Sequence, residues 1–403
     1  MDKIFITGLG LVSSIGIGKK DFWQGLKEAK SGVKDITLFD TSNLKVKKAS
    51  YIENFKPEDL FDPKKLRTLD RTTKLLLYAS KLALDDANLN IEDVDPKRIG
   101  ISIGTTLGSI WSISKFDRDA LIDGPHFVNP ADFPNTVINS PASEVAIFFG
   151  ITGPCSTISS AFSSSFDAIK YAINLLNNNH ADIMIVGGVD AFCEQVYLSL
   201  YRAGFLAGLK GQELSCPFDK RRNGIIYGEG ACVFILEKES LLRNSKKYAY
   251  IKSLESLFFP FSITKYDREG RGLKEAIERA IIKEKILKED ISYILSCANS
   301  TELDLIETNV IKDVFGKLAY KIPVSSIKGS IGETFSASGA LNLAASLGSF
   351  ELDFIPPTIN FLEKDSFCDL DYVFNKPRFC KVNNILINSA GFNGDNFCLI
   401  LSK

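Results

Sequence analysis

Two hydrophobic patterns alternate along the chain. Short, nearly unbroken apolar runs give way to longer segments in which apolar residues recur every three or four positions. The first pattern belongs to strands buried on both faces, the second to amphipathic helices packed on them. Residues 3–12, 98–104, 181–188, 228–237, 249–254, 293–298, 324–326, 384–388 and 397–401 read as strands. Helices are predicted over 19–30, 70–88, 140–150, 272–284, 304–315 and 335–347. The clearest is 70–88, with Leu75, Leu76, Ala79, Leu82 and Ala83 on one face. Residues 31–68 are irregular and rich in Lys, Asp and Pro; 217–222 form a turn.

One stretch organises the rest. Residues 156–160 form a short β-type run that turns sharply at Ala161-Phe162. A helix follows, with Phe166, Ile169, Ala172, Ile173 and Leu176 at helical spacing. A strand feeding into a buried helix puts the turn residue at the helix N-terminus, where free N–H groups and the dipole favour negative charge. An acyl-transfer enzyme would seat its nucleophile there. The residue on this turn is Phe162, which has no nucleophilic atom.

The pattern runs twice. Strand, turn and helix at 156–176 correspond to 323–347, and 181–188 corresponds to 384–389. The restart falls near a polar joint at 243–248. This predicts an α/β chain of two units, 1–246 and 247–403, packed face to face as one interwoven body with helices between the sheets.

Composition narrows the chemistry. The chain has 403 residues, 45% hydrophobic and 24% charged, with net charge −1. That balance leaves no electrostatic footprint for a nucleic acid. Eight cysteines are scattered singly, which argues against a disulfide framework or zinc site and fits a reducing, cytoplasmic setting. Cys155 and Cys297 lie near the turn in sequence and read as small buried structural residues. The two histidines, His126 and His180, are far apart and read as surface or loop residues, so no His-based metal centre is expected. The apolar start carries Asp2 and interrupting glycines, which suits a buried first strand better than a signal peptide. No apolar run approaches the ~20 residues that span a bilayer. Gly8-x-Gly10 lacks the third glycine of a dinucleotide fingerprint, and no cofactor is expected.

Motifs in a fixed order then point to a family. They are Gly153-Pro154 before the turn, ADIMIVGGVD at 181–190, PFDKRRNG at 217–224, GEG at 228–230, SSIK at 325–328, Gly339-Ala340, PPTIN at 356–360 and NSAGFNGDN at 388–396. Over its whole length the sequence resembles the elongating β-ketoacyl-ACP synthases of the thiolase superfamily. The resemblance implies a thiolase-like duplicated αβαβα five-layer fold, a dimer, and condensation of an acyl thioester with malonyl carrier protein through a Cys-His-His triad. A thiolate at a helix N-terminus has a lowered pKa and accepts the acyl group. Two imidazoles would hold the thioester carbonyl as carbon dioxide leaves and enolate charge develops.

The sequence departs at all three triad positions, which hold Phe162, Asn299 and Glu333. Supporting positions implied by the resemblance remain at Lys328, Glu307 and Phe392. An ionised Glu333 would repel a developing enolate, and Lys328 is a candidate to pair with it. The expectation is a catalytically inactive subunit that resembles the chain length factors of type II polyketide and aryl-polyene systems. Its partners would be a catalytic ketosynthase in a heterodimer and an acyl carrier protein. Many chain length factors carry Gln where this chain has Phe162. The alternative is an acyltransferase using a serine near the turn, among Ser160, Ser163, Ser164 and Ser165. Serines at a helix start are also common caps. Ile110, Trp111, Ile113 and Phe133 match the family region lining the partner's acyl pocket; core packing is the competing reading. Lys64, Lys65 and Arg67 sit where related synthases dock the carrier protein, or form a solvated face.

Overall fold

The structure is a computed structural model describing residues 2–243, 245–262 and 264–403. Residue 244 of the predicted joint lies outside the described residues. Ten strands carry the architecture: β1 (Ile4–Ser13), β2 (Ile99–Gly104), β3 (Cys155–Ile158), β4 (Ile183–Asp190), β5 (Gly230–Lys238), β6 (Ala249–Phe258), β7 (Tyr293–Leu295), β8 (Val324–Ser325), β9 (Asn384–Ala390) and β10 (Asp395–Ser402). The main helices are α1 (Gly18–Lys27), α2 (Arg71–Asp86), α3 (Ile110–Ile122), α4 (Ser140–Phe149), α5 (Ser164–Asn177), α6 (Glu194–Ala203), α7 (Arg271–Lys283), α8 (Leu303–Phe315) and α9 (Ser336–Leu352).

The strands follow one another in the order β8-β7-β9-β10-β6-β1-β5-β4-β2-β3. Read outward from the centre, each half has the same pairing: antiparallel β1–β5–β4 then parallel β4–β2–β3, and antiparallel β6–β10–β9 then parallel β9–β7–β8. The duplication read from the sequence is thus repeated in strand order. The halves also meet edge to edge, because β1 and β6 pair antiparallel through Ile4–Ile251, Phe5–Tyr250 and Ile6–Ala249.

Side-chain alternation builds the layers. In β4, Met184 and Val186 face the central core, while Ile183 and Ile185 face the outer one beneath α2 and α4. In β9, Ile385 and Ile387 face the centre, and Leu386 faces the core under α7 and α8. α5 and α9 lie in the centre against each other, with Phe166, Ile169, Leu341, Leu347 and Phe350 in one buried cluster. A Cβ on Gly339 would come within 2.8 Å of Ser165 Oγ, so the close crossing of these two helices requires glycine there.

Cys155 departs from expectation. It is exposed, at the start of the edge strand β3, because a strand with one neighbour leaves half its surroundings open. Among the described residues, no helix is long and apolar enough to cross a membrane.

Candidate functional site

The N-termini of α5 and α9 converge at the centre of the molecule. Each is approached through a non-glycine residue with positive φ: Ala161 at 59° and Phe335 at 48°. Such conformations cost on the order of 1–3 kcal/mol each and persist only where the surroundings hold them. Ala161 is held by its carbonyl, which accepts from Thr106 Oγ1 and Ser164 Oγ, both at 2.6 Å. Each helix start is also capped by a buried carboxylate from the opposite half. Asp395 Oδ2 accepts from the Ser163 N–H at 3.0 Å, and Asp190 Oδ2 accepts from the Ser336 N–H at 2.9 Å.

Phe162 sits on the first of these turns with only 6% of its surface exposed. Its ring centroid lies 5.0 Å from that of Phe335 and 4.9 Å from that of Phe392. Phe392 stacks on Phe205 at 4.9 Å and meets Tyr266 edge-on at 6.0 Å. On the other side Phe335 leads to Tyr227, then Phe192, then Tyr51. A continuous row of rings therefore runs through the centre. Gly391 lets the Phe392 loop approach: a Cβ there would fall 2.2 Å from Asp395 Oδ1 and 3.1 Å from the Phe162 ring.

Beside the rings lies a buried polar cluster. Lys328 Nζ pairs with Glu333 Oε1 at 2.6 Å and also bonds Ser338 Oγ. Ser338 Oγ donates to Glu333 Oε1 at 2.7 Å, and Asn299 Nδ2 donates to Glu333 Oε2 at 3.0 Å. The structure thus brings Phe162, Asn299, Lys328 and Glu333 together, with the lysine and the carboxylate neutralising one another. Glu307 lies one step deeper, accepting from Asn388 Nδ2 at 2.8 Å and from Ser296 Oγ. Burial raises its carboxyl pKa against the pull of those hydrogen bonds. The Cys297 thiol points at Glu307 Oε2 from 3.4 Å; burial, then the nearby carboxylate, push its pKa well up, so it is not a ready thiolate. Asp304, under the Asn299 backbone, is raised by burial to about 6.

Little space remains. The cavity between Phe162, Cys297, Lys328, Glu333, Asn342 and Asn388 is about 10 Å³, and that beside Tyr266 and Phe392 about 20 Å³. The first is at the lower limit for a single water. A cleft of about 670 Å³ opens on the far side of the row, walled by Phe39, Phe192, Leu107, Ile110, Trp111 and Arg67.

Three of the four serines of the turn are occupied structurally, while Ser160 Oγ is buried without a hydrogen-bond partner. Ser163 Oγ bonds Ser389 Oγ at 2.8 Å, Ser164 Oγ donates to Ala161 O, and Ser165 Oγ accepts from the Ala340 N–H. Ser163, Ser164 and Ser165 are fully buried, whereas both histidines are exposed. No imidazole stands near to act as their base. Trp111 and Phe133 are 51% and 57% exposed and Ile113 is half-buried, while Ile110 packs against the core cluster that holds Phe162, Phe192 and Phe335. Lys64, Lys65 and Arg67 are exposed; Arg67 lines the large cleft and Lys65 lies over the Phe148 ring.

Sequence reasoning did not single out Phe335, Ser338, Phe205 or Tyr266. The internal repeat carried a usable signal for Phe335, which starts the second central helix as Phe162 starts the first.

Residues 1–241 match the beta-ketoacyl synthase N-terminal domain, and residues 248–362 the beta-ketoacyl synthase C-terminal domain. The 3-oxoacyl-[acyl-carrier-protein] synthase 2 of Coxiella burnetii is 33% identical, covering 100% of this chain and 98% of that protein. Among solved structures, the ishigamide ketosynthase/chain length factor superimposes with a TM-score of 0.90 at 28% identity, covering 100% of this chain and 99% of that one. A type II polyketide synthase acyl-carrier protein in complex with its ketosynthase bound to the hexaketide gives 0.90 at 26% identity, with 100% and 99% covered.

Proposed function

The chain belongs to the β-ketoacyl synthase family, and we propose that it is a catalytically inactive member that pairs with an active ketosynthase and shapes the acyl tunnel, as a chain length factor. The observation that carries this is Phe162. A buried ring fills the nucleophile's seat, wedged between Phe335 and Phe392, and the space left beside it is about 10 Å³. No acyl thioester fits there. The Lys328–Glu333 pair supports the same reading, since Glu333 puts a carboxylate against the lysine where enolate charge would have to develop.

Partnering is supported by the surface. Trp111, Leu121, Ile122, Phe127, Phe133 and Ile147, from one stretch of sequence, are all exposed. Large contiguous apolar exposure marks interaction sites rather than free surface. The roomy cleft opens beside Trp111, so a growing chain would enter this subunit from the partner's side, and a carrier protein would deliver to the partner.

Co-expression with a Cys-containing ketosynthase from the same gene neighbourhood should yield a stable 1:1 complex that condenses malonyl units, while the chain alone does not. Condensation by the isolated chain, or acylation of it by a thioester probe, overturns the proposal. In the complex, Trp111→Ala should lengthen the products by at least one extension unit; unchanged lengths with an intact complex would remove Trp111 from length control.

A further inference from the structure

Asp190 ends β4 with its carboxylate fully buried, which raises its pKa. Its charge is met by N–H and O–H donors. Oδ1 accepts from Thr105 Oγ1 at 2.9 Å, the Thr106 N–H at 3.1 Å and the Leu107 N–H at 2.9 Å, while Oδ2 accepts from the Ser336 N–H. One carboxylate thus ties the loop that launches α3 to the first residue of α9. The loop is closed on itself by the Gly108 N–H donating to Thr105 Oγ1 at 2.9 Å. Its middle residue reaches the other central helix, because Thr106 Oγ1 donates to the carbonyl of Ala161, directly before Phe162. Trp111 stands on the first turn of α3, two residues after the Ser109 cap.

From this geometry we infer that Asp190 and Thr106 are positioning residues: they brace α3, and with it Trp111, against the plugged centre, so that the aromatic wall of the cleft is held by the same contacts that hold Phe162. The brace itself stands on the hydrogen bonds above. Its consequence for product length rests on the reading of this chain as a chain length factor. α3 is packed lightly: Ser112 is its only buried residue among those described, and beyond the loop it is tied by Ser112 Oγ to Asp70, by Lys115 to Asp132 and by the Phe116–Phe133 ring contact. A helix packed so lightly takes its orientation from its anchor, and regions with few buried contacts open at low free-energy cost.

Two substitutions test the inference. Asp190→Asn puts an amide NH2 against an N–H donor. Thr106→Val keeps the side-chain size and removes only the bond to Ala161. Hydrogen exchange on the full chain should show residues 105–117 exchanging at least tenfold faster in both variants, with α2 and β1 unchanged. In the complex with the ketosynthase, both variants should spread the products over at least one further chain length at unchanged 1:1 stoichiometry. A stabilising role confined to folding would lower the melting temperature without moving product length. If Asp190→Asn does not fold, Thr106→Val decides. Unchanged exchange over 105–117 in Thr106→Val overturns the brace. Faster exchange with unchanged product lengths overturns its role in length control. If the unaltered chain forms no complex at all, the chain length factor reading fails, and exchange alone decides the brace.

Discussion

The two helix starts at the centre share a scaffold and differ in what fills them. α5 and α9 each follow a strained non-glycine turn and each take a cap from a buried aspartate of the other half. At α5 the contents are rings: Phe162 against Phe335 and Phe392. At α9 they are charges: Lys328 and Glu333 with Ser338 and Asn299 around them. On the reading proposed above, these are two ways to silence one site. On the α5 side the Phe162 ring itself asks for no polar partner, although Ser160 Oγ and Asp395 Oδ1 beside it are buried without one. On the α9 side a lysine is retained inside the protein, and a buried cation must be paired. Glu333 supplies that pair.

The contrast breaks most clearly at the charged side. Lys328→Ala leaves Glu333 buried without its counter-charge, which should cost roughly 3–5 kcal/mol. Replacing both partners, Lys328→Met with Glu333→Leu, should come back to within about 1 kcal/mol of the unaltered chain, because well-packed apolar groups often match a buried pair. Urea unfolding of the single and double variants measures this. A single variant as stable as the double would mean the pair is not isolated from water, and the contrast with α5 would be lost.

The apolar side should respond more gently and without a charge signature. Phe162→Ala removes a buried ring and should cost about 3 kcal/mol through lost transfer energy and the cavity left between Phe335 and Phe392. The loss should be insensitive to salt and recovered in part by Phe162→Leu. Thermal or urea denaturation at two ionic strengths checks it. A loss below about 1 kcal/mol would show that Phe335 and Phe392 collapse into the space, so that Phe162 is one ring among several rather than the plug.

How much of this contrast the sequence disclosed follows from the physics of each element. Long periodic helices such as α2 and the apolar strands were readable because burial imposes their spacing. Phe162, Asn299 and Glu333 were singled out by the resemblance, and the structure brings them together; the Lys328–Glu333 pair followed from charge. What escaped has specific causes. β7 ends at Leu295, earlier than its apolar run, because the backbone N–H groups of Cys297 and Ala298 are taken by Glu307 and by Ser296 Oγ instead of a neighbouring strand. α9 runs on to Leu352 past a non-periodic end, where Ser346 and Ser349 are buried by donating to their own helix carbonyls. α6 offers only Val196, Tyr197 and Leu200 to the core, too few for a periodic signal. The ring row joins residues more than 200 positions apart, which no local pattern records.

The smallest expected effect sharpens the comparison through pH, because each side of the site contains one carboxyl raised by burial to about 6. Asp395 caps α5, and Asp304 holds the Asn299 backbone beside the charged cluster. Both lie above the ordinary carboxyl value of about 4. The folded chain therefore binds these protons more tightly than the unfolded chain. Their contribution to stability is fully present below the unfolded value and is lost as pH rises through 6. Stability should then increase from pH 7.5 to pH 5, by about 1 kcal/mol for each group. Asp219, held down to about 2 as its bonds to Arg221 and to backbone N–H groups outweigh burial, acts only in more acidic solution. Urea unfolding at the two pH values measures the slope, and Asp395→Asn and Asp304→Asn should each reduce it, with Glu307 and Asp190, also raised by burial, adding to what remains. If one variant removes all of it, the two sides titrate unequally and the raised carboxyl belongs to that side alone.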